Sequence, residues 1–205
     1  MRTLRLVLWL AVPLALFILG ALAIGLIPGR DTGPLQAGQS RIVPGGPLGG
    51  AFTLVDHQGQ PVTEAVFREK PSAVLFGFTH CPDVCPTTLM EMSGWVDALG
   101  ADADKMRFVF VTVDPERDTP AAMRDYVSAF SDRILGVTGE PAAVQAMLRD
   151  YKIPFSKVPH EGGDYSMDHL ASVILLDADG SFVGTIARDE ERDVAVAKLH
   201  KLVAG

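Results

Sequence analysis

The chain has 205 residues, 48% of them hydrophobic, with two cysteines and a formal net charge of −7 at pH 7. That length suits one domain plus an appendage, and the apolar content is enough for a core. The acidic balance, with no Lys/Arg cluster, argues against a nucleic-acid partner, and two cysteines exclude a disulfide-stapled scaffold.

Arg2 and Arg5 precede a run from Leu6 to Ile27 that contains no charged residue. This is about the 20 residues that a bilayer-spanning helix needs, and Pro13 is tolerable in such a span. The cationic end should stay in the cytoplasm, exporting everything after Ile27. The expectation is a single-pass inner-membrane protein whose main domain lies on the periplasmic side, or in an equivalent exported compartment. A cleaved signal peptide is the rival, because Ala21-Leu22-Ala23 resembles a small-residue cleavage site, but the run exceeds the usual apolar stretch of about 7–15 residues. In either case an unassisted pair of thiols outside the cytoplasm tends to oxidise.

From Pro28 to Gly50, Gly and Pro fill 11 of 23 positions and no amphipathic period survives. This reads as an extended tether. Ala51 to Val55 and Pro61-Val62, separated by Asp56-His57-Gln58-Gly59-Gln60, read as a hairpin. Ala73 to Phe78 is nearly continuous in apolar residues, the mark of a strand buried on both faces. Leu89, Met92, Val96 and Leu99 then form a helical stripe that Gly100 ends.

Arg107 to Val113 is a second buried strand, closed by Asp114-Pro115. Thr119 is the N-cap of a helix with Pro120 at its first position and Met123, Val127 and Phe130 on one face. A shorter helix runs from Pro141 to about Tyr151. Ser172 to Leu176 and Ser181 to Ile186, joined by Asp177-Ala178-Asp179-Gly180, form a hairpin. The last segment, Glu190 to Val203, is acidic early and basic late, matching a helix dipole. This order predicts an α/β fold, a mixed central sheet with helices on both faces. With a cysteine pair where the first central strand meets its helix, it is thioredoxin-like.

Both cysteines lie in Thr79-His80-Cys81-Pro82-Asp83-Val84-Cys85-Pro86. At that spacing they can close a disulfide, share a soft metal ion, or do each at different times. Pro86 is comfortable at the first helical position, which makes Cys85 the N-cap and leaves Cys81 in the loop. Both sulfurs should then feel the positive helix end, which favours thiolate. Three residues separate the cysteines, where the ordinary thioredoxin motif has two. Structural zinc sites need four protein ligands, so any metal must recruit a donor elsewhere. Two thiols with one imidazole suit copper.

Among the five histidines, His57 and His200 read as solvated, His160 as a loop residue, and His80 as pointing away from Cys81. His169, in Tyr165-Ser166-Met167-Asp168-His169, enters the strand after it, and in a thioredoxin-like sheet that loop lies against the cysteine loop. Asp168 is a candidate to orient His169, as metal-bound histidines require an outer partner. Asp114 reads as ending a strand and Asp118 as starting a helix; Asp83 and Glu116 carry no assigned role. Met92 and Met123 read as core.

Three blocks together, Phe78 to Pro86, Val113-Asp114-Pro115-Glu116-Arg117-Asp118-Thr119-Pro120 and Tyr165 to His169, resemble the signatures of the Sco/SenC family, as does Gly49 to Asp56. The resemblance runs from about Pro47 to the C-terminus, which divides the chain into an anchor (1–27), a tether (28–46) and a thioredoxin-like domain (47–205). It implies a membrane-anchored copper protein that helps assemble the binuclear copper site of cytochrome c oxidase. It also implies Cys81, Cys85 and His169 as copper ligands. The implied partners are the copper-site subunit of that oxidase and an unidentified copper donor. Leu170 departs from the small hydroxyl residue expected after the histidine. The competing reading is a thiol–disulfide oxidoreductase in which Cys81 and Cys85 are the redox-active pair reducing the acceptor's cysteines. A peroxidase lacks support, because no threonine-rich loop precedes Cys81; a membrane-anchored redox or copper sensor is a further alternative.

Overall fold

The structure, a computed structural model, describes residues 48–205. The anchor and tether expected at 1–27 and 28–46 lie outside the described residues. Among the described residues, no helix is long and apolar enough to cross a membrane.

Among the described residues nine strands form: β1 (Thr53–Asp56), β2 (Pro61–Thr63), β3 (Ser72–Gly77), β4 (Arg107–Thr112), β5 (Ile134–Thr138), β6 (Phe155–Pro159), β7 (Tyr165–His169), β8 (Val173–Leu176) and β9 (Phe182–Ile186). The α-helices are α1 (Val84–Leu99), α2 (Pro120–Val127), α3 (Pro141–Asp150) and α4 (Arg192–Ala204). Seven strands make one mixed sheet in the order β2-β1-β5-β4-β3-β8-β9. Its centre, β5-β4-β3, is parallel, and β8 joins β3 antiparallel.

β3 is buried at all six positions. Because strand side chains alternate between faces, Ala73 and Leu75 serve one apolar layer, and Val74 and Phe76 the other. The first layer takes Leu89, Met92, Trp95 and Leu99 from α1, Met123 and Val127 from α2, and Ala195 and Leu199 from α4. The second takes Val144, Met147 and Leu148 from α3, with Phe52, Phe67 and Tyr151. Burying one such large apolar side chain is worth about 1.5–3 kcal/mol, so the two faces of β3 are where the sheet is anchored. The helices therefore cover both faces of a mixed sheet, as the element order predicts. Met92 and Met123 are fully buried core residues.

Two features differ from the sequence expectation. β5 was not anticipated, although Ile134-Leu135-Gly136-Val137-Thr138 has strand composition. Gly136 interrupts its apolar run, yet accommodates His57: Gly136 donates its N–H to His57 Nδ1 at 3.0 Å, and His57 donates its own backbone N–H to the Gly136 carbonyl at 2.8 Å. His57 is thus fastened to the sheet and not freely solvated. Second, Tyr165–His169 is a strand, not an irregular loop. It pairs with β6 in a separate two-stranded ribbon, with Phe155 opposite His169. Its alternation is concealed because neither face of the ribbon is fully buried.

Candidate metal centre

β3 runs out at Gly77, and the chain passes through Phe78 to His80 before α1 begins. Helix α1 starts at Val84, so Asp83 holds the cap position and Pro86 is the third helical residue. This corrects the expectation that Cys85 is the cap and Pro86 comes first. Proline is accepted there because the first N–H groups of a helix have no intrahelical partner. The Asp83 side chain makes no capping bond. Cys81 Sγ does that job instead, accepting the Cys85 N–H at 3.4 Å.

The consequence for the two thiols is asymmetric. Cys81 is pulled down to about 5, because the Cys85 thiol donates to it and the backbone N–H groups of Cys85, Asp83 and Val84 add to that; burial acts in the opposite sense. Cys85 is pushed up, first by its bond to Cys81 and then by burial. The expectation that both sulfurs favour thiolate therefore holds for Cys81 and fails for Cys85, which is fully buried. Both cysteines are free thiols.

Position 77 is where the buried sulfur fits. A Cβ on Gly77 would lie 2.7 Å from Cys85 Sγ and 2.7 Å from Phe110 Cε2, closer than such atoms can approach without displacement.

His169 arrives from the end of β7. Its Nε2 lies 3.8 Å from Cys85 Sγ, and its Nδ1 is 2.8 Å from the Leu170 carbonyl. A carbonyl only accepts, so Nδ1 carries the proton and Nε2 keeps its lone pair toward the sulfur. The orienting partner is a backbone oxygen and not Asp168, which is exposed and makes no hydrogen bond to His169. A carbonyl can be offered by any residue, so Leu170 in place of a small hydroxyl residue leaves this bond intact. Phe78 meets the imidazole edge-on, with ring centroids 5.7 Å apart and planes at 88°.

The ligand atoms of Cys81, Cys85 and His169 all lie within 4.8 Å of one another. Two soft sulfurs, one of them inclined to be thiolate, and one imidazole nitrogen make a donor set suited to copper. His80 is exposed, its Nδ1 3.0 Å from Thr79 Oγ1, and lies outside this group. His160 sits at the ribbon turn, its N–H donated to the Asp164 carbonyl, and His200 Nδ1 faces Asp102 at 3.2 Å.

The acidic residues beneath the site do more than end a strand and start a helix. Asp118, fully buried, accepts from Thr79 Oγ1 at 2.7 Å, from the Thr79 N–H and from Thr112 Oγ1 at 2.6 Å. It pins the start of the cysteine loop to the end of β4. Burial raises its pKa, against the hydrogen bonds from Thr112 and Thr79. Asp114 is also buried. It accepts from Tyr165 Oη at 2.9 Å and pairs with Arg117. Glu116 pairs with Lys157 at 2.7 Å. The signal available beforehand was the density of polar residues between two buried segments, at Asp114 to Thr119.

A family model described as SCO1/SenC matches residues 42–204. A mouse protein named SCO2 homolog, mitochondrial, is 40% identical over 158 residues, 76% of this chain and 62% of that protein. The Saccharomyces cerevisiae protein SCO2, mitochondrial, is 35% identical over 160 residues, 76% of this chain and 53% of that protein. The chain thus spans about half to three-fifths of the curated relatives it matches. The structure of Bradyrhizobium japonicum ScoI with copper bound is similar, with a TM-score of 0.71 and 44% identity, over 76% of this chain and 99% of that one. Yeast Sco1 with copper bound superposes with a TM-score of 0.71 at 35% identity, over 78% of this chain and 90% of that one.

Proposed function

The chain belongs to the SCO1/SenC family, and on that premise we propose that it is a copper metallochaperone acting in cytochrome c oxidase assembly. Cys81, Cys85 and His169 hold the ion. It passes to the copper-site subunit of the oxidase as donors of the acceptor replace these three in turn. The observation that carries this reading is the mutual reach of two thiols and an imidazole whose Nδ1 is tied to a carbonyl, leaving Nε2 free as a donor. A thiol–disulfide reductase makes no use of such a third donor. The copper-bound state of the solved relatives points the same way.

The charge-free run from Leu6 to Ile27 supports a single-pass anchor, with the thioredoxin-like domain held on the periplasmic side. There the domain can receive copper from a donor and face a membrane-bound acceptor.

The test is copper stoichiometry and ligand spectroscopy on reduced wild type and His169→Ala. His169→Ala is expected to lose high-affinity binding yet still form the Cys81–Cys85 disulfide. Oxidised wild type is expected to bind no copper, because the bond consumes both sulfurs. Unchanged affinity and spectrum in His169→Ala, or equal stoichiometry in reduced and oxidised protein, would overturn the proposal.

A further inference from the structure

The ribbon that delivers His169 has little to hold it in place. Among the described residues β6 and β7 pair only with each other, and an isolated two-stranded ribbon is marginal in water. Its apolar footing on the domain is Phe155, Met167 and Leu170, all only partly buried. The position of His169 therefore depends on whatever else fastens β7.

Arg117 supplies that fastening. It sits between β4 and α2, where its Nε pairs with buried Asp114. Its Nη1 donates to the Tyr165 carbonyl at 3.1 Å and to Asp164 Oδ1 at 3.2 Å. The guanidinium carbon lies 3.8 Å from the centre of the Tyr165 ring and 5.9 Å from that of Phe78. Tyr165 Oη returns to Asp114, so Arg117, Tyr165 and Asp114 close a ring of contacts at the first residue of β7. Phe78 takes the other end, against the His169 imidazole. Lys157 also reaches the Tyr165 ring, at 4.2 Å, but its ion pair with Glu116 is solvent-exposed and such pairs count for little.

We propose that Arg117 is a positioning residue for His169, clamping β7 to the β4–α2 connection so that Nε2 stays within reach of the two sulfurs. This rests on the three-donor reading of the copper site. Removing the guanidinium frees the Tyr165 end of β7 and takes the cation from over Phe78, so His169 swings and the thiols are left to bind alone. Lysine cannot replace it, because a single ammonium cannot serve Asp114 and the Tyr165 carbonyl as a planar fork does.

The test uses the full chain in detergent, with Arg117→Met, Arg117→Lys, His169→Ala and the double variant Arg117→Met/His169→Ala. Copper(I) affinity is measured anaerobically by chelator competition, and amide hydrogen exchange on the metal-free protein. Arg117→Met is expected to quicken exchange at residues 165–169 at least about tenfold while β3 is unaffected. It is expected to weaken copper binding by about 10–100-fold, with no rescue by lysine and no added loss in the His169→Ala background. Unchanged exchange at 165–169, equal copper losses in both backgrounds, or loosening of β3 as well would overturn the clamp. If His169→Ala keeps full copper affinity while Arg117→Met still frees residues 165–169, the copper-ligand reading falls and the clamp on β7 stands.

Discussion

Cys85 Sγ occupies the space that any side chain at Gly77 would need: the added Cβ would come within 2.7 Å of the sulfur. Phe110 closes the other side at the same distance, and both neighbours are fully buried. The contact cannot be relieved by swinging a flexible surface group aside. Gly77→Ala should therefore destabilise the domain by about 1–3 kcal/mol, the usual cost of overpacking, and displace the second sulfur from the group it forms with Cys81 and His169. Urea denaturation and copper titration check this. Wild-type stability together with wild-type copper affinity would show that the pocket around Cys85 relaxes freely.

The thiols should react at different rates. Thiolate is the nucleophile, and Cys81 is pulled down to about 5 while Cys85 is pushed up and buried. In metal-free reduced protein, iodoacetamide labelling of Cys81 should rise with pH through a midpoint near 5 and be level by neutral pH. Cys85 should remain largely unlabelled. Peptide mapping of the labelled sites gives the answer; a Cys81 midpoint near the ordinary thiol value of 9.0 would refute the role of its hydrogen bonds.

Asp118 should matter more than its place before a helix suggests. Asp118→Ala leaves the Thr79 N–H and the hydroxyls of Thr79 and Thr112 without their acceptor. An unsatisfied buried group costs about 1–3 kcal/mol, and relief of the buried carboxylate offsets part of it, so a net loss of about 2–3 kcal/mol is expected. Because burial raises the Asp118 pKa, its contribution is fullest below the ordinary carboxylate range and declines as pH rises through the folded-state value. Denaturation curves of the two proteins should therefore differ more in acid than at neutral pH; the reverse trend would contradict a raised pKa.

The central sheet was legible because its strands are buried on both faces, which leaves unbroken apolar runs at Ala73 to Phe78 and Arg107 to Val113. The Thr119-Pro120 helix start was legible too: Thr119 accepts the Ala122 N–H at 3.3 Å. What escaped was structure held by contacts outside the local pattern. Gly136 splits the apolar run of β5, and β7 has no buried face to print an alternation on. His169 was picked out by topology, whereas its tautomer depends on a carbonyl that leaves no trace in residue identity. The unequal thiols were also hidden, because the asymmetry arises first from the Cys85 thiol donating to Cys81 and then from the burial of Cys85, neither of which residue identity records.

The two halves of the candidate centre come from different parts of the fold: the sulfurs from the loop after β3 and the first turn of α1, and the imidazole from the ribbon, 84 residues beyond Cys85. An ion shared between them ties the ribbon to the main sheet as a cross-link does, closing a long loop of chain. Such a tie would raise the melting temperature of the loaded domain by mass action, adding to the Arg117 and Tyr165 contacts that already hold β7 in the metal-free protein.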